Sequence, residues 1–308
     1  MEKTAFLFPG QASQYVGMGL DFYNLKTTAQ RFYDYANQIF DFSVKDLSFY
    51  GPLSELTKTQ VTQPAIFIHS LIIFEELIAR KLKPNMVAGH SLGEYSALVA
   101  TGVLDYEPGL QLVKVRAEAM QLATETNSGT MAAIVGLDHD LIQQIIENSQ
   151  FTGVCNIANY NAPNQIVISG DTHTVQSLML SFKEAGAKRV IELSVGGAFH
   201  SELMQSASAK LKQSLDKLRF NKPCCPIYSN VTGTASSDPQ VIRDRLYLQL
   251  THPVLWTTTI ENMIKDGATR FLEVGPGKVL QGLVKRINSE VTLAGVSNVA
   301  ELEDLQWN

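Results

Sequence analysis

The pentapeptide Gly89-His90-Ser91-Leu92-Gly93 restricts this chain more than any other stretch. It has the form G-x-S-x-G, the pattern of a nucleophile elbow. Small residues are common in turns, so the flanks must give the pattern its meaning. Met86-Val87-Ala88 reads as a short apolar strand, and residues 92–100 (LGEYSALVA) read as a helix closed by Gly102. Strand, Gly-flanked turn and helix together are what an elbow demands. The glycines admit a strained serine backbone and keep neighbouring side chains clear. The helix N-terminus then offers unpaired N–H groups to a developing oxyanion. The competing reading is a serine that merely caps a helix; the flanks favour the elbow.

The rest of the chain fits an α/β class. Residues 4–8 form a strand ended by Pro9-Gly10, and a loop Gln11-Ala12-Ser13-Gln14 follows. Helices are predicted over 24–40, from Gln63-Pro64 to about 82, and over 109–124 after Asp105 and Pro108. Strands alternating with helices of this length imply a parallel sheet. From 129 to 195 the order becomes strand 130–135, helix 138–148, strand 154–159, turn 161–164, strand 165–169, helix 171–185 and strand 188–193. That β-α-β-β-α-β order is the ferredoxin-like unit, read here as a subdomain inserted into the α/β domain. The α/β pattern then resumes, with helices at 202–218, 241–250 and 257–266, and a short strand at 226–228. A strand at 270–274 leads through Gly275-Pro276-Gly277 into a helix at 278–287. This strand–GPG–helix lacks the glycine spacing of a nucleotide fingerprint and reads as a packing turn.

Composition narrows the classes of function. With 308 residues, 45% of them hydrophobic and 18% charged, the chain can bury a normal core in one large domain or two smaller ones. The net charge of -5 argues against nucleic-acid binding, while leaving room for a local basic patch facing an acidic partner. The cysteines are Cys155, Cys224 and Cys225, an odd number without C-x-x-C spacing, so neither a metal site nor a disulfide framework is expected. A reducing, cytoplasmic compartment fits that usage. The run Ala5–Phe8 is too short for a signal peptide. The best apolar candidate for a membrane span, residues 65–74, carries His69 and Ser70, and no membrane association is expected.

A nucleophilic serine needs a base. His90 precedes Ser91 on the elbow and is expected to point away from it. His69 lies mid-helix and reads as a core residue, and His139 and His173 begin helices of the inserted unit. That leaves His200, after the loop Gly196-Gly197-Ala198-Phe199, and His252, before Pro253. The loop position favours His200 without excluding the other. Arg116 sits on a helix among Leu112, Val113, Ala119 and Met120, and a guanidinium on an apolar stripe must find an anion. An internal carboxylate, Glu94 or Asp105, and an anionic group on the substrate are equally open readings at this point.

The segments FLFPGQASQ (6–14), TQPAIF (62–67), GHSLGEYSALVATGVL (89–104), NYNAPNQIVISG (159–170), GAFHS (197–201) and EVGPGKVLQGLVKRI (273–287), together with Arg116, span nearly the whole chain. In that order they resemble the malonyl-CoA:acyl-carrier-protein transacylases of fatty-acid synthesis and the stand-alone acyltransferases of polyketide synthesis. The resemblance implies a hydrolase-like parallel-sheet domain from 1–128 and 196–308, with the ferredoxin-like subdomain at 129–195. It implies a ping-pong transfer of malonyl from CoA, through an ester on Ser91, to the phosphopantetheine thiol of an acyl carrier protein. His200 would be the base, oriented by the backbone carbonyl of Gln249, whose side chain would be dispensable. The N–H groups of Gln11 and Leu92 would form the oxyanion hole. Arg116 would hold the malonyl carboxylate, and Gln63 and Asn161 would line the acyl or pantetheine site. Phe199 matches the malonyl-type form of its loop; Gly197 departs from the histidine of many modular polyketide enzymes. No cofactor is implied, and a monomer is expected. An acyl hydrolase that clears carrier proteins is the alternative on the same scaffold.

Overall fold

The computed structural model describes residues 2–307. Among them are ten strands, β1 (Lys3–Phe8), β2 (Met86–Gly89), β3 (Gly129–Val135), β4 (Cys155–Ala162), β5 (Gln165–Asp171), β6 (Arg189–Glu192), β7 (Ile227–Tyr228), β8 (Ala235–Ser236), β9 (Ala268–Val274) and β10 (Thr292–Val296). They divide into two sheets. The larger has the order β10-β9-β1-β2-β7-β8 and is parallel apart from the final β7–β8 pair. The smaller, β4-β5-β3-β6, is antiparallel. The chain is thus mixed α/β, with a parallel sheet and a separate antiparallel one.

The central strand β1 shows why its sequence is apolar throughout. Phe6 and Phe8 face one helical layer, together with Val87 and Leu272. Ala5 and Leu7 face the opposite layer, against Trp256, Ile260, Leu280 and Leu283. A parallel strand covered on both faces has no place for alternating polar residues. The first layer is dominated by the helix Thr59–Ala79, which is buried on every side. By length and composition it could cross a membrane, but 83% of its most apolar window is buried in the fold, which marks it as a core helix.

Several element bounds differ from the sequence reading for local reasons. The helix Thr59–Ala79 begins before Gln63-Pro64, because Lys58 is extended and Pro64 sits inside the helix rather than at its start. Similarly, Tyr106–Thr126 starts ahead of Gly109, with extended Asp105 before it and Pro108 tolerated in its first turn. The expected 24–40 helix is two, Leu20–Leu25 and Thr27–Ile39, broken at extended Lys26. β4 runs through the expected turn to Ala162, bulging twice, so the hairpin closes only at Pro163 and Asn164, whose φ is 58°. The edge strands β8 and β10 have no counterpart in the sequence reading. Gly275-Pro276-Gly277 is a packing turn: a Cβ on Gly275 would lie 2.4 Å from Ser70 Oγ and 2.6 Å from Pro9 Cγ.

Two features of the sheets position the site. β1 and β2 pair in parallel down to Phe8↔Gly89, so the Pro9-Gly10-Gln11 loop and the elbow leave the sheet side by side. Crevices at the carboxyl ends of parallel strands are where α/β folds bind ligands. The antiparallel sheet packs one face on its own helices, His139–Glu147 and Thr172–Glu184, through Ile134, Ile157, Ile168 and Phe182. Its other face presents Met131, Asn159, Asn161 and Val167 over that crevice. β4 is tied down by the Tyr160 N–H donating to Val254 O (2.9 Å) and the Val254 N–H donating to Ala158 O (2.8 Å).

Candidate active site

The elbow is forced by its neighbours. Ser91 has φ 51°, in the left-handed region that a non-glycine residue enters only under constraint. A Cβ on Gly89 would lie 1.8 Å from the Gly93 carbonyl carbon, and one on Gly93 would lie 2.0 Å from Phe8 O. Both contacts are with backbone, which cannot step aside. Gly89→Ala is therefore expected to destabilise the fold by more than the about 1–3 kcal/mol of an ordinary overpacked core residue; a melting temperature matching the parent protein's would contradict this.

His200 follows β6 on a loop and also has positive φ, 59°. Its Nε2 lies 2.9 Å from Ser91 Oγ. Its Nδ1 faces two carbonyls, Gln249 O at 2.9 Å and His252 O at 3.2 Å. Carbonyls only accept, so Nδ1 carries the proton and Nε2 is left free to accept from the serine hydroxyl. Burial first, then the adjacent Arg116 charge, pushes the imidazole down to about 3, so it is neutral at ordinary pH. Among the described residues no carboxylate bonds this ring. The His252 ring is exposed and turned to Leu248 O; only its backbone reaches His200.

Arg116 is 1% exposed and reaches the same hydroxyl, with Nη2 3.0 Å from Ser91 Oγ. Its other hydrogen bond goes to Gln249 Oε1 at 3.1 Å, and its charge lies over the Tyr95 ring, 5.0 Å from the centroid. Its Nε has no acceptor. Among the described residues no carboxylate forms an ion pair with it, so neither Glu94 nor Asp105 fills the internal-partner reading. A buried guanidinium with unused donors beside the Ser91 hydroxyl has the hydrogen-bonding capacity to take an anion.

The remaining expected residues divide. Gln11 and Leu92 line the cavity with Ser91, and neither N–H has a hydrogen-bond acceptor among the described residues. The Ser91 N–H is occupied, donating to Asn230 Oδ1 at 2.7 Å. Asn161 and Phe199 also line the cavity. Gln63 does not; it is buried behind Met120, donating to its sulfur at 3.4 Å.

Three features escaped the sequence reading. His90 does not point away from the site: its ring lines the cavity and Nε2–H donates to Asn161 Oδ1 at 2.8 Å. Burial pushes its imidazole below the usual range. Asn230 grips the elbow from both ends, accepting from the Ser91 N–H and donating to Gly89 O at 2.6 Å. Its place just after β7, the neighbour of β2, was the available signal. The Gln249 side chain is far from idle, since its amide bonds Arg116, Ser91 O (2.9 Å) and Glu94 Oε2 (2.7 Å). The expectation that it could be dispensed with took no account of these bonds, two of them to the buried Arg116 and Glu94.

Comparison with known proteins places this geometry in context. The acyl transferase domain family matches residues 5–303. The malonyl CoA-acyl carrier protein transacylase of Bacillus subtilis (strain 168) is 41% identical, over 98% of this chain and 96% of its own. An acyl carrier protein S-malonyltransferase from Vibrio cholerae superposes with a TM-score of 0.93 at 38% identity, covering 98% of this chain and 99% of that one. A malonyl-transacylase solved in complex with a type II PKS acyl-carrier protein superposes with a TM-score of 0.94 at 36% identity, covering 98% of both chains.

Proposed function

The chain belongs to the acyl transferase domain family, and from that premise we propose that it moves malonyl from CoA to an acyl carrier protein through an ester on Ser91. The observation that carries the mechanism is the meeting of His200 Nε2 and Arg116 Nη2 on one hydroxyl, Ser91 Oγ. His200 accepts the hydroxyl proton as Ser91 attacks the thioester, then returns it to the departing CoA sulfur. The Gln11 and Leu92 N–H groups take the oxyanion. In the second half-reaction the phosphopantetheine thiol gives its proton to His200 and attacks the ester, releasing Ser91. Asn161 and Phe199 shape the acyl side of the cavity, and Gln63 supports it from behind Met120. No metal or cofactor enters these steps.

The domain reading is part of the same proposal. Residues 1–128 and 196–308 form the hydrolase-like unit, and 129–195 the ferredoxin-like insert. The β-α-β-β-α-β order and the β4-β5-β3-β6 sheet support the latter. A monomer is part of the same proposal. Three free cysteines support a cytoplasmic location.

The direct test is intact-mass spectrometry after malonyl-CoA addition, with peptide mapping. One malonyl group on Ser91, discharged by a holo carrier protein, is the expected result. Label on another residue, or release as free malonate faster than transfer to the carrier, would overturn the reading and favour the hydrolase.

Arg116→Ala decides the substrate class. The malonyl carboxylate would meet the guanidinium in a desolvated pair, and removing one partner of such a pair costs about 3–5 kcal/mol. That corresponds to roughly 10²- to 10³-fold or more in malonyl transfer. Acetyl-CoA has no carboxylate to lose, so its rate is expected to stay the same or rise. Parallel losses with both substrates would refute the role.

A further inference from the structure

We propose that Glu94 is a positioning residue, whose one carboxylate oxygen holds the two residues that brace Ser91, Asn230 by its backbone N–H and Gln249 by its side-chain amide, and through Gln249 aims Arg116. The inference rests on the reading of Ser91 and Arg116 given above. Glu94 lies in the first turn of the helix Gly93–Ala100, three residues past Ser91, and is 2% exposed. Its Oε2 accepts from Gln249 Nε2 at 2.7 Å and from the Asn230 N–H at 3.2 Å. Those two residues grip the Ser91 backbone from opposite sides. Asn230 Oδ1 takes the Ser91 N–H at 2.7 Å, and Gln249 Nε2 donates to Ser91 O at 2.9 Å. A serine held at φ 51° persists only where its surroundings over-determine it, and these are the bonds that do so.

The same carboxylate settles which way the Gln249 amide faces. With Nε2 turned to Glu94, the amide oxygen must face Arg116, where it accepts from Nη2 at 3.1 Å. Reversed, the amide would set a donor against the guanidinium and an acceptor against the carboxylate. Glu94 thus sets the direction of the cation without touching it. Burial wins and leaves its carboxyl raised to about 7, against the Gln249 and Asn230 donors and the Arg116 charge, which draw it down. Both N–H groups meet the same oxygen, so the brace needs an acceptor there rather than a full charge.

Two substitutions separate acceptor from bulk. Glu94→Met fills a similar volume and accepts nothing; Glu94→Gln keeps an oxygen for both donors. Single-turnover acylation is measured with malonyl-CoA and acetyl-CoA, alongside circular dichroism and melting temperature. Glu94→Met is expected to lose about tenfold or more in malonyl acylation, because buried donors go unpaired. Its preference for malonyl over acetyl should fall with it, while Glu94→Gln stays near the parent rate. A role in stability alone would lower the melting temperature and leave that preference untouched, which would overturn the proposal. Equal slowing in both variants would overturn it too. If Glu94→Met does not fold, Gln249→Met cuts the brace one residue further on and must show the same loss of preference; an intact preference there refutes it. A parent protein that forms no malonyl-enzyme would defeat the proposed function itself, and this inference with it; a parent that forms one while the variants behave alike would defeat the inference only.

Discussion

Ser91→Ala is expected to abolish the malonyl-enzyme while leaving the fold in place. The substitution removes a single oxygen, and with it the bonds to His200 Nε2 and Arg116 Nη2. Neither the elbow nor its brace depends on that oxygen. The braces reach the Ser91 backbone, and the contacts at Gly89 and Gly93 are backbone to backbone. A net hydrogen bond is worth about 0.5–1.5 kcal/mol, so the melting temperature should move by only a few degrees. Turnover alone is a weak readout here, because an oxyanion hole and binding pocket can retain roughly 10³-fold catalysis over water without the nucleophile. Intact mass is the sound measurement, and a malonyl adduct persisting on the variant would sink the assignment of Ser91.

His200→Ala is expected to slow acylation by about 10²–10⁴, the usual cost of losing a general base. His252→Ala serves as the control. Its exposed ring makes no contact with Ser91, and its backbone carbonyl, which does reach His200, survives the substitution. Surface changes of this kind are typically within about 0.5 kcal/mol, so its rate should stay within roughly threefold of the parent. Stopped-flow acylation of both variants with malonyl-CoA distinguishes them. A larger loss at His252 would reverse the assignment of the base.

In the proposed mechanism His200 works with two carbonyls in place of an acidic partner. A carboxylate at Nδ1 would stabilise an imidazolium and raise its basicity. Two carbonyls fix the tautomer, while burial and Arg116 keep the ring neutral.

What the sequence determined by itself lies in short-range signals. The elbow was legible because Gly89, Ser91 and Gly93 are demanded by a local turn whose strand and helix are adjacent in the chain. The repeating strand and helix periods separated the parallel sheet from the antiparallel one. Arg116 stood out because helical spacing alone sets it on an apolar stripe.

Only the tertiary structure decided the partners. Of His200 and His252, 52 residues apart in sequence, His200 brings its ring to Ser91 Oγ, while His252 sends only its backbone carbonyl to His200 Nδ1. Arg116 turned out to face Ser91 Oγ and a glutamine rather than Glu94 or Asp105, because the helices cross where an amide, not a carboxylate, lies between them. His90 turned inward because the antiparallel sheet brings Asn161 over the elbow, 71 residues away. Asn230 and Gln249 reach Ser91 from 139 and 158 residues further along. A buried polar group must be paired, so physics guarantees that a partner exists. Which residue it is depends on how strands order themselves in a sheet, and no local period encodes that.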